Sequence, residues 1–457
     1  MSDAVEAFID HGLGVTFSAL PDAVVAAVKI FTLDTLGVGI AGARSPLTEN
    51  VRRAARLWSG AGPAHVWGHG GAAMAPSAAA FVNAFQIHCQ EYDCVHEPAV
   101  VHPMATILSA LMADAEAQAA TVSGQSLAVA IAVGVDMAAG LGVAATSPLK
   151  FFRPATAGVF GATLGISRLR GFTRETTLEA LGCALAFCSG TMQAHLEGKA
   201  TLPLQIANAA RAAITACDLA EAGLPGPHGS LEGPFGYFAV FEDASDLAPV
   251  VASLGKTWRI AEVSHKPFPT GRAAQGGIAL MQRLREQGVT AANVEEIVLT
   301  GPPLIARLVG RAMTPSMTAS HARLCFQYVG ARALLSGTVR LEGFFEPALS
   351  EPEARALGAR IQVVDDGSPI PSAFTPQSVE ARLKDGRVVR AEINALYGSP
   401  ADPMSHDAHL EKFRACVDFG FGEARGVVSG ALIQAVDRLE ELGDSATLSR
   451  LASSGEV

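Results

Sequence analysis

The sequence predicts a mainly α-helical protein with an α+β part. A large all-helical domain is expected over residues 1–258, completed by 401–457, with a smaller α/β domain over 259–400. Three observations carry this expectation. Alanine-rich segments with apolar residues three and four apart fill roughly the first 250 residues, the spacing of one helix face. Near Trp258 the texture changes to short alternating runs, the two-residue period of strands. From Ser405 the helical pattern returns, so the last segment is expected to pack back on the first domain. A chain of 457 residues is long for a single hydrophobic core, which agrees with two domains.

In chain order, helices are expected over Ala23–Ala41, Ala73–Tyr92, Met104–Ala120, Leu127–Ala139, Ala157–Leu169, Thr176–Cys188 and Gln205–Ala222. Gly, Pro and Ser punctuate them. Alanine and leucine favour helix intrinsically, and small side chains let neighbouring helices approach closely. Gly223–Gly236, with three prolines, is a loop. Leu127–Ala145 is the most membrane-like stretch, but Asp136 interrupts it and Gly and Ala crowd it. A buried helix is therefore expected there, not a membrane span.

In the second domain, Val263–Pro269 is short and broken by prolines, Arg272–Gln287 reads as a helix, and Val294–Thr300 alternates like a strand. Val379–Leu383 and Val388–Ile393 flank Lys384-Asp385-Gly386-Arg387, a hairpin signal, because Asp-Gly supplies the positive φ angles of a tight turn. Ala452–Val457 reads as a frayed tail.

Hydrophobic residues make up 49% of the chain against 17% charged, enough to bury a large core. The net charge is −10 with no block of Lys or Arg, which argues against a nucleic-acid partner. The N-terminus carries Asp3, Glu6 and Asp10, not the positive start of a signal peptide. The seven cysteines form no C-x-x-C pair, so reduced thiols and a cytoplasmic location are expected. No metal site is expected, since His88, His96 and His102 fit neither H-E-x-x-H nor a usual zinc spacing. No cofactor is expected either: Gly68-His69-Gly70-Gly71 follows no clear strand, and no phosphate loop is present.

Glu91, Asp93, His96 and His102 lie within twelve residues. Carboxylates beside imidazoles orient a base and tune its pKa toward neutrality. A loop of satisfied polar groups is the plainer reading of the same residues. Lys266 precedes two closely spaced prolines, which stiffen the backbone and present a fixed ammonium. Arg272 follows six residues later and suits a bidentate grip on a carboxylate. Helical spacing puts Leu324 and Tyr328 on one face, and a phenol can donate to a carboxylate or an enolate-like oxygen. Arg323 reads as a carboxylate contact or an ordinary ion pair. His195 and Lys199 are four apart and share a face if the segment is helical, which Gly198 weakens.

A wider pattern joins these residues. Asn83-Ala84-Phe85, Glu91-Tyr92-Asp93, His102-Pro103 and Arg153-Pro154-Ala155-Thr156-Ala157-Gly158 occur in that order. Gly190-Thr191-Met192-Gln193, Leu231-Glu232-Gly233-Pro234, Lys266-Pro267-Phe268-Pro269 and Phe326-Gln327-Tyr328 follow. From about Val24 to about Phe413 the chain resembles the MmgE/PrpD family, whose members include dehydratases, decarboxylases and epimerases of small polycarboxylates. The resemblance implies a helical domain, an α/β lid, an active site in the cleft between them, and a homodimer. By position it implies catalytic roles for His102, Lys266, Tyr328 and Asp93. It implies substrate binding by Glu91 and Arg323, to which the residue pattern adds His96, Arg153, His195, Lys199 and Arg272 as candidate substrate contacts.

The departures matter as much. Many members carry Phe-His-Pro-Thr-Ala-Thr where this chain has Phe151-Phe152-Arg153-Pro154-Ala155-Thr156. A lysine before Pro-Leu-His is also missing, since the run here is Leu202-Pro203-Leu204-Gln205, with Lys199 nearby. Gly271 and Gln275 stand where relatives have histidine, and Val95 replaces a threonine. The expectation is a cofactor-independent lyase that abstracts a proton α to a carboxylate of a small di- or tricarboxylate. An epimerase of an iminodisuccinate-like acid and a catalytically inactive carboxylate-binding protein are the alternatives.

Overall fold

The computed structural model describes residues 4–370, 372–422 and 425–454. Long helices dominate the first half, among them α1 (Asp22–Ala43), α2 (Pro76–Cys89), α3 (Pro103–Ala115), α4 (Gly124–Ala144), α5 (Gly158–Leu169), α6 (Arg174–Phe187) and α7 (Thr201–Glu221). α1 and α4 are long and apolar enough to cross a membrane, yet most of each is buried inside the protein. Helices apolar all round are what a bundle interior requires. α4 and α5 cross at glycines: a Cβ on Gly161 would stand 2.4 Å from the Gly134 carbonyl oxygen, and one on Gly134 2.8 Å from that of Gly161.

Several boundaries differ from expectation, among them the end of the third helix, at Ala115 and not Ala120, and two differ for evident local reasons. The helix expected over Ala73–Tyr92 starts only at Pro76, because Ala73 and Met74 pair with His65 and Ala64 in a two-stranded ribbon. α7 begins at Thr201, ahead of the expected Gln205, with Pro203 in the first turn where its missing N–H removes no helical bond. The stretch over Gly223–Gly236 is a loop, as expected.

After the proline-broken segment come α8 (Arg272–Glu286), β1 (Val294–Gly301), α9 (Phe326–Ser336), β2 (Ile361–Asp365), β3 (Gln377–Leu383) and β4 (Val388–Ile393). The sheet order is β2-β1-β3-β4. β1 runs parallel to β2, with Ile297 opposite Ile361, and antiparallel to β3, with Leu299 opposite Val379. β3 and β4 form the expected hairpin. Every second residue of β3 is buried, so one face of the sheet carries helices and the other meets solvent.

The shared face expected for Leu324 and Tyr328 is not formed. A short helix, Ala319–Ala322, ends before Arg323, and α9 starts afresh at Phe326.

Buried apolar residues fall into two large clusters. One gathers the first-half helices together with Phe413, Val417, Leu432 and Leu448 from the C-terminal segment, where α10 (His406–Phe421) lies on α1. The other lies between Phe268 and Leu396. The expected frayed tail is overturned over its first half: Ala452 and Ser453 are buried in a helix ending at Ser454, and Ser453 Oγ donates to the Val66 carbonyl. Residues 455–457 lie outside the described residues.

Candidate active site

α2 ends at Cys89, leaving His88 in its last turn, and the chain then doubles back through Glu91. Glu91 has a φ of 51° and Val100 one of 53°. Ordinary side chains seldom adopt this left-handed conformation, and a β-branched one least of all. Among the described residues no other non-glycine positions have positive φ, and both line one cavity. Strained backbone of this kind clusters at functional sites.

Two short backbone pairings set the geometry. Val95 and Ser264 exchange reciprocal hydrogen bonds of 3.0 and 2.8 Å, which docks the Lys266 segment beside the Asp93 loop. His96 and Val101 pair likewise, at 2.8 and 3.3 Å, and bring His102 to the start of α3. Pro103 then occupies the first helical position, where proline is preorganised.

Asp93 is fully buried at the centre. His88 Nδ1 lies 3.0 Å and His102 Nδ1 3.1 Å from the same oxygen, Asp93 Oδ2. His102 Nδ1 is also 3.1 Å from the Cys94 carbonyl. The buried Lys266 ammonium donates to Glu91 Oε2 at 3.0 Å and stands 3.6 Å from Asp93 Oδ1. Nδ1 of each imidazole faces only acceptors, so each carries its proton there and leaves Nε2 for the cavity. His88 Nε2 has no hydrogen-bond partner and sits 3.6 Å from Glu91 Oε1.

The two histidines are electrostatically unequal. Burial lowers His88, but the charges of Asp93 and Glu91 outweigh it and hold the group above its ordinary value. Burial also lowers His102, and here it prevails over Asp93, with Lys266 adding to it. Burial would raise both carboxylates. Lys266 and the imidazoles instead pull Glu91 down to about 2, and His88, His102 and Lys266 hold Asp93 well below the carboxylate range. Within the cluster His88 therefore holds its proton more firmly than His102, with one carboxylate behind both.

The cavity beside them has a volume of about 60 Å³. Its walls come from both apolar clusters: Phe152, Leu202 and Leu324 on one side, Val309 and Phe374 on the other. A larger hollow of about 1140 Å³ lies elsewhere, between Arg44, Arg332, Phe345 and Asp418, and holds none of the paired imidazoles.

The structure gathers Glu91, Asp93, His102 and Lys266 and adds His88, which the sequence alone did not assign to the site. Its signal was the spacing His88, Glu91, Asp93 across a helix end. His195 and Arg272 also reach the cavity. Arg311, likewise unassigned, donates through Nη2 to the His195 carbonyl at 2.6 Å, while its buried Nη1 has no partner. Burial and the Arg311 charge push His195 down to about 4.

Other expected residues are placed differently. The Tyr328 hydroxyl donates to the Gly343 and Ala348 carbonyls inside the α/β core, so the phenol is not brought to the cavity. Arg153 is locked bidentately on Glu242, at 2.8 Å through Nε and through Nη2, and Phe152 turns to the cavity instead. His96 Nε2 is spent on Glu262 at 2.9 Å. Arg323 engages Gln90 and stacks over Phe344. Arg272 holds Glu97 and two backbone carbonyls, so its donors position the loop. His195 and Lys199 do not share a helical face: the helix stops at Glu197, Gly198 turns left-handed, and Lys199 is exposed.

Residues 6–250 match the family model of the MmgE/PrpD N-terminal domain, and residues 268–437 match that of the C-terminal domain. The chain is 29% identical over 465 residues to a cis-aconitate decarboxylase of Mus musculus, covering 98% of this chain and 92% of that protein. It is 30% identical over 460 residues to a cis-aconitate decarboxylase of Homo sapiens, covering 96% and 92%. A cis-aconitate decarboxylase-like protein of Aspergillus oryzae is 26% identical over 467 residues, with 96% and 95% covered. With both halves matched in order and the fold in agreement, the chain belongs to the MmgE/PrpD family.

Proposed function

We propose that this chain is a lyase of the decarboxylase type acting on a small unsaturated tricarboxylate. The similarity to the mouse and human cis-aconitate decarboxylases supports the reaction class. The observation that carries the chemistry is the pair of unequal imidazoles on one carboxylate, Asp93. In a decarboxylation the C–C bond breaks, CO₂ leaves, and its electron pair stays on the substrate, delocalised over the adjacent alkene and carboxylate. His88, kept protonated, delivers the proton that forms the new C–H bond. Apolar walls at Phe152 and Leu202 favour this charge-dispersing step over the localised carboxylate. In this reading Arg311 Nη1, buried without a partner beside His195, takes a remaining carboxylate, while Lys266 balances the charge of Glu91 and Asp93. No cofactor is invoked, because the conjugated substrate itself accepts the electron pair.

The neutral His102 supports a second reading, in which Nε2 removes a proton α to a carboxylate and elimination or epimerisation follows. Proton NMR in deuterium oxide separates the readings. Offered cis-aconitate, the decarboxylase yields a shorter dicarboxylate carrying one solvent deuteron, together with CO₂. A new alkene formed from a hydroxy acid indicates elimination, exchange without net reaction indicates an epimerase, and silence with a ligand-induced thermal shift indicates a binding protein. The homodimer and cytoplasmic location are part of the same proposal, checked by light scattering and cell fractionation.

A further inference from the structure

A second group of buried polar residues lies outside the active site, where α1, the Lys266 segment and α10 meet. Asp34 on α1, His265 beside Lys266, and His409 on α10 each offer a ligand atom, and these atoms lie within 4.8 Å of one another. The three residues are 2%, 7% and 4% exposed. Among the described residues, Asp34 Oδ2, His265 Nε2 and both nitrogens of His409 have no hydrogen-bond partner. Buried polar atoms are nearly always satisfied, because each unpaired one costs about 1–3 kcal/mol. Three such residues, each offering one ligand atom to the same small space, therefore ask for an occupant.

We propose that Asp34, His265 and His409 form a binding site for a divalent transition metal of the zinc or cobalt kind. Two imidazoles and one carboxylate are a usual three-residue set for such ions, with water completing a tetrahedron. Burial favours neutral imidazoles, the form that ligates. Metal–ligand bonds of about 2.0–2.2 Å need only a modest inward shift of these side chains. The carboxylate is already oriented to ligate, because Lys412 Nζ holds Asp34 Oδ1 at 2.7 Å and leaves Oδ2 free. Lys412 is fixed in turn by the Tyr92 carbonyl at 2.9 Å and by the Tyr92 ring, 4.2 Å from its ammonium. Such outer hydrogen bonds are a regular part of metal sites.

The cluster His88, Glu91 and His102 also brings ligand atoms close together. There, however, Lys266 occupies Glu91 and Asp93 engages both imidazoles. The Asp34 site is thus the more open of the two, and an ion in it staples the Lys266 segment to two helices.

The test uses the full chain freed of metal by a chelator and then titrated with Co²⁺. The expected result is one equivalent bound, with the visible absorption of a tetrahedral nitrogen–oxygen site that Zn²⁺ displaces, and a higher melting temperature with Zn²⁺. His409→Gln should weaken Zn²⁺ binding by roughly 100-fold or more, the upper end of what losing even an outer partner costs. His88→Ala should leave the Co²⁺ spectrum unchanged. Loss of the spectrum in His88→Ala but not in His409→Gln would place the ion in the catalytic cluster and overturn the proposal. Absence of Co²⁺ or Zn²⁺ binding by the folded wild type would mean that water alone fills the site, and would overturn it equally.

Discussion

Asp93 acts on two imidazoles through one oxygen and raises both, and burial decides the difference. At His88 the nearby carboxylates outweigh burial, whereas at His102 burial prevails and Asp93 is left to fix the tautomer. Activity that needs both states rises with pH as His102 loses its proton below its ordinary value, and falls as His88 loses its proton above it. Removing the negative charge lowers both groups, so Asp93→Asn should move the whole plateau of kcat/KM to lower pH and reduce kcat by about 10²–10⁴-fold. An unshifted profile in the variant would remove Asp93 from this role. His102→Ala tests which proton step matters: elimination or epimerisation should fall by about 10²–10⁴-fold, whereas decarboxylation driven by His88 should fall less than in His88→Ala. Glu91, Asp93, His102 and Lys266 were legible in the sequence because loop carboxylates, a His-Pro helix start and a proline-stiffened lysine each leave a local mark. Tyr328 and Arg153 were misplaced because sequence position does not reveal where a side chain's donors are spent. The Gly343 carbonyl and Glu242, which satisfy them, lie 15 and 89 residues away.

Helix packing depends on what single positions lack. At the α4–α5 crossing, a methyl on Gly161 would meet the Gly134 carbonyl oxygen at 2.4 Å and the Ala138 Cβ at 2.7 Å, and neither is a flexible side-chain end. Gly161→Ala should destabilise the protein by about 1–3 kcal/mol, read as a lower urea midpoint with an unchanged slope. Gly430 supplies the control, since it is also helical but meets nothing within 4 Å. There alanine should be neutral or stabilise by up to about 1 kcal/mol through helix propensity. Equal effects at both sites would contradict the close crossing. Helices and the β3–β4 hairpin could be read from periodicity because their apolar spacing is local. β2 could not: Ile361–Asp365 is a half-exposed edge strand whose place follows from its parallel partner β1, over 60 residues earlier. The break between Ala322 and Phe326 was equally hidden, since the residues there read as helix formers.

At the scale of the whole molecule, the active cavity exists only where the two apolar clusters face each other, and His195 marks that junction. It belongs to the first-half chain, yet its carbonyl and Nδ1 face Arg311 of the α/β part, 2.6 and 3.3 Å from Nη2. Burial and this guanidinium push its pKa down to about 4, against 6.5 for the free side chain. Between these values the unfolded chain binds a proton that the folded protein refuses. The contribution of His195 to stability is therefore full above about pH 6.5 and falls as the pH drops toward 4, by about 1.4 kcal/mol per pH unit. Urea unfolding of the metal-free protein at about pH 7, 6 and 5 should show this slope, superimposed on the other titrating groups. His195→Gln, which keeps a polar side chain but cannot take up the proton, should flatten the slope by about that amount. Identical slopes in wild type and variant would mean that His195 stays solvated and that the two halves do not close over it.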